Sequence, residues 1–384
     1  MAREKKSGKE EDVDSNIDVT KNILNALLKG NEEDHYNYIE SKPVRIPSGS
    51  ILWDSVSPIY SASVLRFCSA PELGKTSQSL LIAKNYVETM KKAKVLYIKS
   101  EGRLSEEVRR KSGMRFCFDA DSWEIGSVFV LESCIFETVA LFIEKLLKST
   151  YEQGIGLCII LDSLDGLLLK KDFNDKEIGE GVMVAGVPKM LKLLMRKIAL
   201  PVNKYNALMI MNSQVSANIK LNPYEKNNIP NMVSGVGGAS ALHSCDQIYE
   251  FQPRYQKDFI LEKPDEKPDP IKNKILGIWC KLEVKKSLGG QTSGYVISYP
   301  VSRTKTGNCI WRELEVGDMM LAWGLIVKKG AWLSFSENTI KEAKESGFEL
   351  KDQIQGLNNL YSYLEENPKI CDYFYNKIST AILS

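Results

Sequence analysis

Between residues 64 and 91 the chain reads as a short apolar strand, a glycine-bearing loop and a helix, and this passage constrains the fold more than any other. Val64–Cys68 is the strand, Ser69-Ala70-Pro71-Glu72-Leu73-Gly74-Lys75-Thr76 is the loop, and Ser77–Lys91 has helical character. In that context the backbone N–H groups of the loop and of the helix N-terminus would cradle phosphate oxygens. Lys75 would reach the β- and γ-phosphates and the Thr76 hydroxyl would meet Mg²⁺, so residues Ser69 through Ser77 form the expected ATP contact set. The phosphate-loop pattern G-x-x-x-x-G-K-[ST] begins with glycine, and Ser69 stands there instead. Serine serves where φ is negative. The competing reading is a loop that merely contains Gly-Lys-Thr, and the rest of the chain must decide.

Further apolar runs at Val95–Ile98, Leu157–Leu161 and Leu208–Met211 read as buried strands. Helical segments at Ile135–Tyr151 and Pro188–Leu200 separate them. Buried strands alternating with helices predict an α/β fold with a mostly parallel sheet covered on both faces. Leu261–Asn273 is charged and proline-rich and reads as a loop or hairpin excursion, followed by strands at Ile275–Val284 and Tyr295–Pro300. Residues 1–15 read as a disordered tail, and Ile17–Lys29 as a small helix closed by Gly30.

Two of the strands end in carboxylates. Leu157–Leu161 runs into Asp162-Ser163, where a water-mediated contact to Mg²⁺ is needed beside a phosphate loop. A strand-ending Asp that only caps the next turn is the plainer alternative. Val95–Ile98 leads to Lys99-Ser100-Glu101, and Glu101 is the candidate to orient or deprotonate an attacking water; a solvated surface Glu is the alternative.

Composition removes other classes. No apolar run approaches the roughly 18 residues of a membrane span, and the charged N-terminus lacks a secretory h-region. The 8 cysteines include no C-x-x-C pair and there are only 2 histidines, which argues against zinc and disulfides and for reduced thiols in a cytoplasm. A net charge of +2 means that binding to nucleic acid would need local basic patches.

Taken in order, several segments resemble the RecA recombinase family. Ile46-Pro47-Ser48-Gly49-Ser50-Ile51-Leu52-Trp53-Asp54 is similar to the segment leading towards its phosphate loop, and Pro71-Glu72 with Gly74-Lys75-Thr76 to the loop itself. Ser100-Glu101 resembles the region of its catalytic glutamate, Asp162-Ser163 its metal-binding pair, and Asn212-Ser213-Gln214-Val215 the strand end that reports nucleotide state to a DNA loop. Glu177-Ile178-Gly179 and Met195-Arg196-Lys197 resemble text in and after its first DNA loop, and Gly237-Gly238 the glycine pair closing its second. Ala322 to Trp332 and Glu366-Asn367-Pro368 resemble its C-terminal domain. Departures are Ser69 for glycine, Lys99 for an acidic residue, and Val108 where many relatives stack a tyrosine on adenine.

The resemblance implies a small N-terminal oligomerisation arm within residues 1–45, a RecA-like ATPase core over 46–318 and a small α+β C-terminal domain over 319–384. It implies a DNA-dependent ATPase, with ATP and Mg²⁺, that forms a helical filament on single-stranded DNA and pairs it with homologous duplex. A loading mediator and a single-strand-binding protein are further implied partners. Glu101, Lys75 and Gln214 would act in hydrolysis, with Lys285 and Lys286 reaching a neighbour's ATP and His243 sensing its γ-phosphate. DNA contacts would come from Lys170, Lys171 and Lys176, from Lys189, Lys192 and Arg196 on one helix face, and from Lys220, Lys226, Gly237 and Gly238 in a long polar loop. The alternatives are a non-hydrolysing paralogue or mediator, and a RecA-fold helicase or clock-type ATPase.

Overall fold

The computed structural model describes residues 11–30, 42–102, 104–174, 186–215, 244–264 and 266–383. The chain divides into two compact units, Met1–Lys42 and Pro43–Ser384. The first contains helix α1 (Glu11–Gly30). It begins upstream of Ile17, so residues 11–15 are helical rather than part of a tail. Apolar periodicity marks the packing face of a helix and not the extent of its backbone ladder, which is why the sequence placed the start too late. Val19, Ile23, Leu24 and Leu27 are each more than half exposed and lie along this helix at near-helical spacing.

In the second unit β1 (Arg45–Ile46) pairs antiparallel with β2 (Ile59–Tyr60), around helix α2 (Ile51–Val56). The central sheet contains β3 (Ser63–Ser69), β4 (Ala93–Lys99), β5 (Arg115–Cys117), β6 (Ser127–Glu132), β7 (Gly156–Asp162), β8 (Leu208–Gln214), β9 (Gln247–Phe251), β10 (Phe259–Leu261), β11 (Ile275–Lys286) and β12 (Val296–Ser302). Among the described residues it is 10-stranded, in the order β10-β11-β9-β3-β8-β7-β4-β6-β5, with β12 also paired to β11. Pairings from β9 through β5 are all parallel, and β10, β11 and β12 join antiparallel. The chain is thus α/β with a mostly parallel central sheet.

Alternation along β3 shows how the sheet is covered. Leu65 and Phe67 pack with Leu80, Ile82 and Tyr86 of helix α3 (Lys75–Met90) on one face. Val64 and Cys68 pack on the other with Ile143 and Leu147 of α5 (Phe136–Glu152) and with Leu191, Leu194 and Ile198 of α7 (Gly186–Lys204). Helix α4 (Glu106–Ser112) and the short α6 (Lys170–Asn174) lie between these elements in sequence. The helix expected to stop at Leu200 runs through Pro201 to Lys204, because the buried Val202 anchors its last turn and only one ladder bond is lost.

Beyond the sheet come α8 (Arg312–Ala322), β13 (Ile326–Lys329), β14 (Trp332–Phe335), α9 (Glu337–Glu345), β15 (Ile354–Gln355), α10 (Leu357–Glu366) and α11 (Pro368–Leu383). Val316, Met320, Leu333, Phe335, Leu360 and Phe374 form a third cluster with Ile51 of α2. Buried Glu315 of α8 completes that contact. Its carboxylate accepts from Ser50 Oγ at 2.5 Å and from the backbone N–H groups of Leu52 and Ile51 at 3.1 and 3.2 Å, satisfying the first turn of α2. No helix among the described residues is long and apolar enough to cross a membrane.

Because β3, β8, β7 and β4 are parallel neighbours, their carboxyl ends share one edge of the sheet. The register pairs Ser69 with Gln214, Lys99 with Asp162 and Leu161 with Met211. Ligands of open α/β sheets bind at this edge.

Candidate active site

The loop after β3 turns through a left-handed residue at Glu72 (φ 61°) and another at Gly74 (φ 102°). Gly74 precedes α3, and no side chain caps that helix start. The first N–H groups of α3 are therefore open to an anion. Ser69 is fully extended within β3 and has no positive φ, so the missing glycine costs no backbone strain. Its side chain has a job of its own. Lys75 Nζ donates to Ser69 Oγ at 2.7 Å and to the carbonyls of Ser69 and Ala70 at 3.1 Å each, while Ser69 Oγ donates to Ala70 O at 2.6 Å. Burial lowers the pKa of the Lys75 ammonium, against the upward pull of Asp162, Asp165, Cys68 and Glu101.

At the next residue, Thr76 Oγ1 donates to Asp162 Oδ2 at 2.6 Å, and Tyr97 donates its hydroxyl to the same oxygen at 2.6 Å. Burial, then the Asp162 carboxylate, pushes the Tyr97 hydroxyl far above its ordinary pKa, so it remains a donor. Thr76 and Asp162 are the pair that would hold a divalent cation together with phosphate oxygens. Mg²⁺ takes few protein ligands and fills its shell with water and phosphate. The Thr76 hydroxyl and the Asp162 carboxylate are two hard oxygen donors side by side, a set that fits such a cation.

Glu101 follows β4 and is exposed at the same edge. Its Oε1 accepts from Ser163 Oγ at 2.5 Å and from Gln214 Nε2 at 2.9 Å. Ser100 Oγ donates to Ser163 O at 2.5 Å, and Gln214 donates its backbone N–H to Asp165 Oδ2 at 2.6 Å. The ends of β4, β7 and β8 are thus tied into one network. Gly166 closes it by necessity, since a Cβ there would lie 2.8 Å from Glu101 Cβ and 2.9 Å from Ser100 O.

Beside the loop lies a cavity of about 230 Å³, lined by Leu73, Gly74, Ser77, Val108, Arg254 and Tyr299 among others. Val108 is on its wall, where the sequence placed the missing stacking ring, and the Tyr299 ring is buried in its floor.

The structure brings together Ser69, Lys75, Thr76, Asp162, Glu101 and Gln214. Lys285 and Lys286 are occupied within their own chain. Lys285 is ion-paired with Glu283 at 2.6 Å and Glu250 at 3.2 Å, and Lys286 donates to Cys245 O at 2.5 Å. Lys99, at the position expected to be acidic, pairs with Glu132 at 2.7 Å. Lys189, Lys192 and Arg196 are exposed along α7 while Leu191, Leu194 and Ile198 are buried, which is the facial division their spacing predicts. Lys170 and Lys171 are exposed on α6. Lys176, Lys220, Lys226, Gly237, Gly238 and His243 lie outside the described residues.

Sequence reasoning missed Tyr97, Asp165 and Arg254, which are brought in by strand register and crossover; it read Ser163 only as half of the pair with Asp162, whereas in the structure Ser163 also bonds Glu101. Compared with known proteins, the sequence matches no protein-family model and no curated protein.

Proposed function

We propose that the chain is a DNA-dependent ATPase with a RecA-like core, which assembles on single-stranded DNA and exchanges it with homologous duplex. The observation that carries this reading is the gathering of Lys75, Thr76, Asp162, Glu101 and Gln214 at the carboxyl ends of four neighbouring strands. On binding ATP, Lys75 moves from the carbonyls of Ser69 and Ala70 to phosphate oxygens, and the open N-terminus of α3 receives the same anion. A bound Mg²⁺ would supply positive charge against the charge that develops on the phosphate oxygens. Thr76 and Asp162 are the residues that would hold it, with Tyr97 keeping the Asp162 carboxylate in place. Glu101 orients the attacking water and takes its proton.

Gln214 supplies the link to DNA. It bonds Glu101 and stands at the end of β8, directly before the polar segment 216–238. A change in occupancy at Glu101 therefore changes the tether of that segment. The exposed apolar stripe of α1 supports oligomerisation through the N-terminal arm. In a filament Lys285 and Lys286 would exchange their own-chain partners for a neighbour's γ-phosphate, making hydrolysis depend on assembly. The exposed basic face of α7 supports phosphate contacts without sequence preference. The proposed compartment is the cytoplasm.

ATP turnover measured with and without single-stranded DNA tests this. The expected result is hydrolysis that rises when DNA is added. Binding of ATP with no turnover in either condition would assign the chain instead to a non-hydrolysing accessory class.

A further inference from the structure

Arg254 follows β9, the strand beside β3, and so reaches the edge of the sheet where the phosphate loop lies. Its Nη2 donates to Leu73 O at 2.6 Å and stands 3.2 Å from where a Cβ on Gly74 would be. The residue is half-buried. Its Nε is shut off from solvent and has no hydrogen-bond partner. Among the described residues no carboxylate pairs with it, whereas Arg115 and Arg312 pair with Glu124 and Asp372.

Of the other cations on the same cavity wall, Arg303 is exposed, and the two lysines are neutralised. Lys111 pairs with Glu107, and Lys305 with Glu313 and Glu365. Arg254 is thus a half-buried guanidinium with one donor on the phosphate loop, a buried Nε without a hydrogen-bond partner, and no carboxylate paired with it among the described residues. Such a group costs the folded state free energy unless an anion arrives to pair with it. A planar guanidinium presents several donors at once and suits a phosphate group. Leu73, Gly74 and Ser77 line the cavity alongside it, so the anion that fits is one carried by the nucleotide on the loop.

We propose that Arg254 is a nucleotide-binding residue whose guanidinium contacts a phosphate of the nucleotide held by the Gly-Lys-Thr loop. This rests on the loop's nucleotide-binding role. If Arg254 only braced the loop, its bond to Leu73 O would be its whole contribution, and an uncharged donor of similar reach would replace it. That difference sets the test.

Binding of MgATP is measured by calorimetry for the wild type, Arg254→Ala and Arg254→Gln, together with the melting temperature of each protein without nucleotide. Glutamine keeps an N–H donor for the Leu73 carbonyl and removes the charge. Charge-assisted hydrogen bonds imply a loss of about 10- to 100-fold in ATP affinity for both variants. For Arg254→Gln the nucleotide-free melting temperature should stay close to wild type. Millimolar guanidinium ion, far below denaturing levels, should restore part of the affinity of Arg254→Ala, which a purely structural role would not allow. ATP affinity within twofold of wild type in Arg254→Gln overturns the proposal, even where Arg254→Ala fails to fold. A wild-type protein that binds no ATP removes the loop's role and this proposal together; wild-type binding with an unchanged Arg254→Gln removes this proposal alone.

Discussion

Gly166 is not a residue that mechanism would single out, and its replacement by alanine gives a strong test of the Glu101 network. It ends the short 3-10 turn Leu164–Gly166 that follows β7. A Cβ built there would sit 2.8 Å from Glu101 Cβ, 2.9 Å from Ser100 O and 3.0 Å from Ser100 C. Carbon atoms are comfortable at roughly 3.5–4.0 Å, so the neighbours must give by on the order of 1 Å. Two of the three atoms are backbone, and no rotamer change relieves them. The tail of β4 must therefore shift, carrying Glu101 away from Ser163 Oγ at 2.5 Å and Gln214 Nε2 at 2.9 Å. Misplacing a catalytic group by about 1 Å costs on the order of 100-fold in rate. Overpacking of this kind costs about 1–3 kcal/mol of stability. The three atoms that this Cβ would meet first belong to Glu101 and Ser100 and not to Lys75, Thr76 or Asp162, so ATP affinity should stay near wild type. Steady-state ATP turnover and calorimetric ATP binding on Gly166→Ala read the two quantities separately. Wild-type turnover in a folded Gly166→Ala protein, or a loss of binding as large as the loss of rate, would refute the reasoning.

Tyr97→Phe removes one of two donors from Asp162 Oδ2 with little change of shape. It should cost about 1–3 kcal/mol in urea unfolding and raise the Mg²⁺ concentration needed for ATP binding; an unchanged Mg²⁺ requirement would show that the hydroxyl does not position Asp162. Asp54, whose Oδ1 accepts from Ser48 N at 2.8 Å, has its carboxyl pushed up by burial to about 6 from 3.8. The folded state therefore holds that proton more tightly than the unfolded one, and stability falls as pH rises from about 4 to about 6, then levels off. The amide of Asp54→Asn can still accept from Ser48, so relative to wild type the variant should gain up to about 3 kcal/mol between pH 4 and pH 7; a difference that does not change with pH would contradict the assignment.

The Gly-Lys-Thr loop, Asp162 and Glu101 were legible as a candidate site because each lies at the end of a short apolar run, and such runs are local in sequence. The basic face of α7 was legible for the same reason, since Lys189, Lys192 and Arg196 oppose Leu191, Leu194 and Ile198 within a few turns. Tyr97 was not, because its role comes from register. Pairing with Ile160 on β7 aims its hydroxyl at Asp162, and nothing in Val-Leu-Tyr-Ile announces that. Strand β9 escaped because Gln247 and Glu250 break its apolar character. Gln247 is nevertheless buried, bonded to Ser57 and to the Pro58 carbonyl. With β9 unseen, Arg254 had no place beside the loop. The serine at position 69 looked like a defect and proves to be the hydroxyl that holds Lys75.

The central claim is that Glu101 and the phosphate loop form one ATP-hydrolysing site governed by DNA. The most direct measurement is ATP turnover with and without single-stranded DNA for wild type and Glu101→Gln, alongside ATP binding by both. Glutamine preserves shape but cannot take a proton from water. The account predicts DNA-stimulated turnover in the wild type, and turnover lower by about 10²–10⁴ in Glu101→Gln with ATP still bound. A Glu101→Gln protein that binds ATP and turns it over like wild type would contradict it.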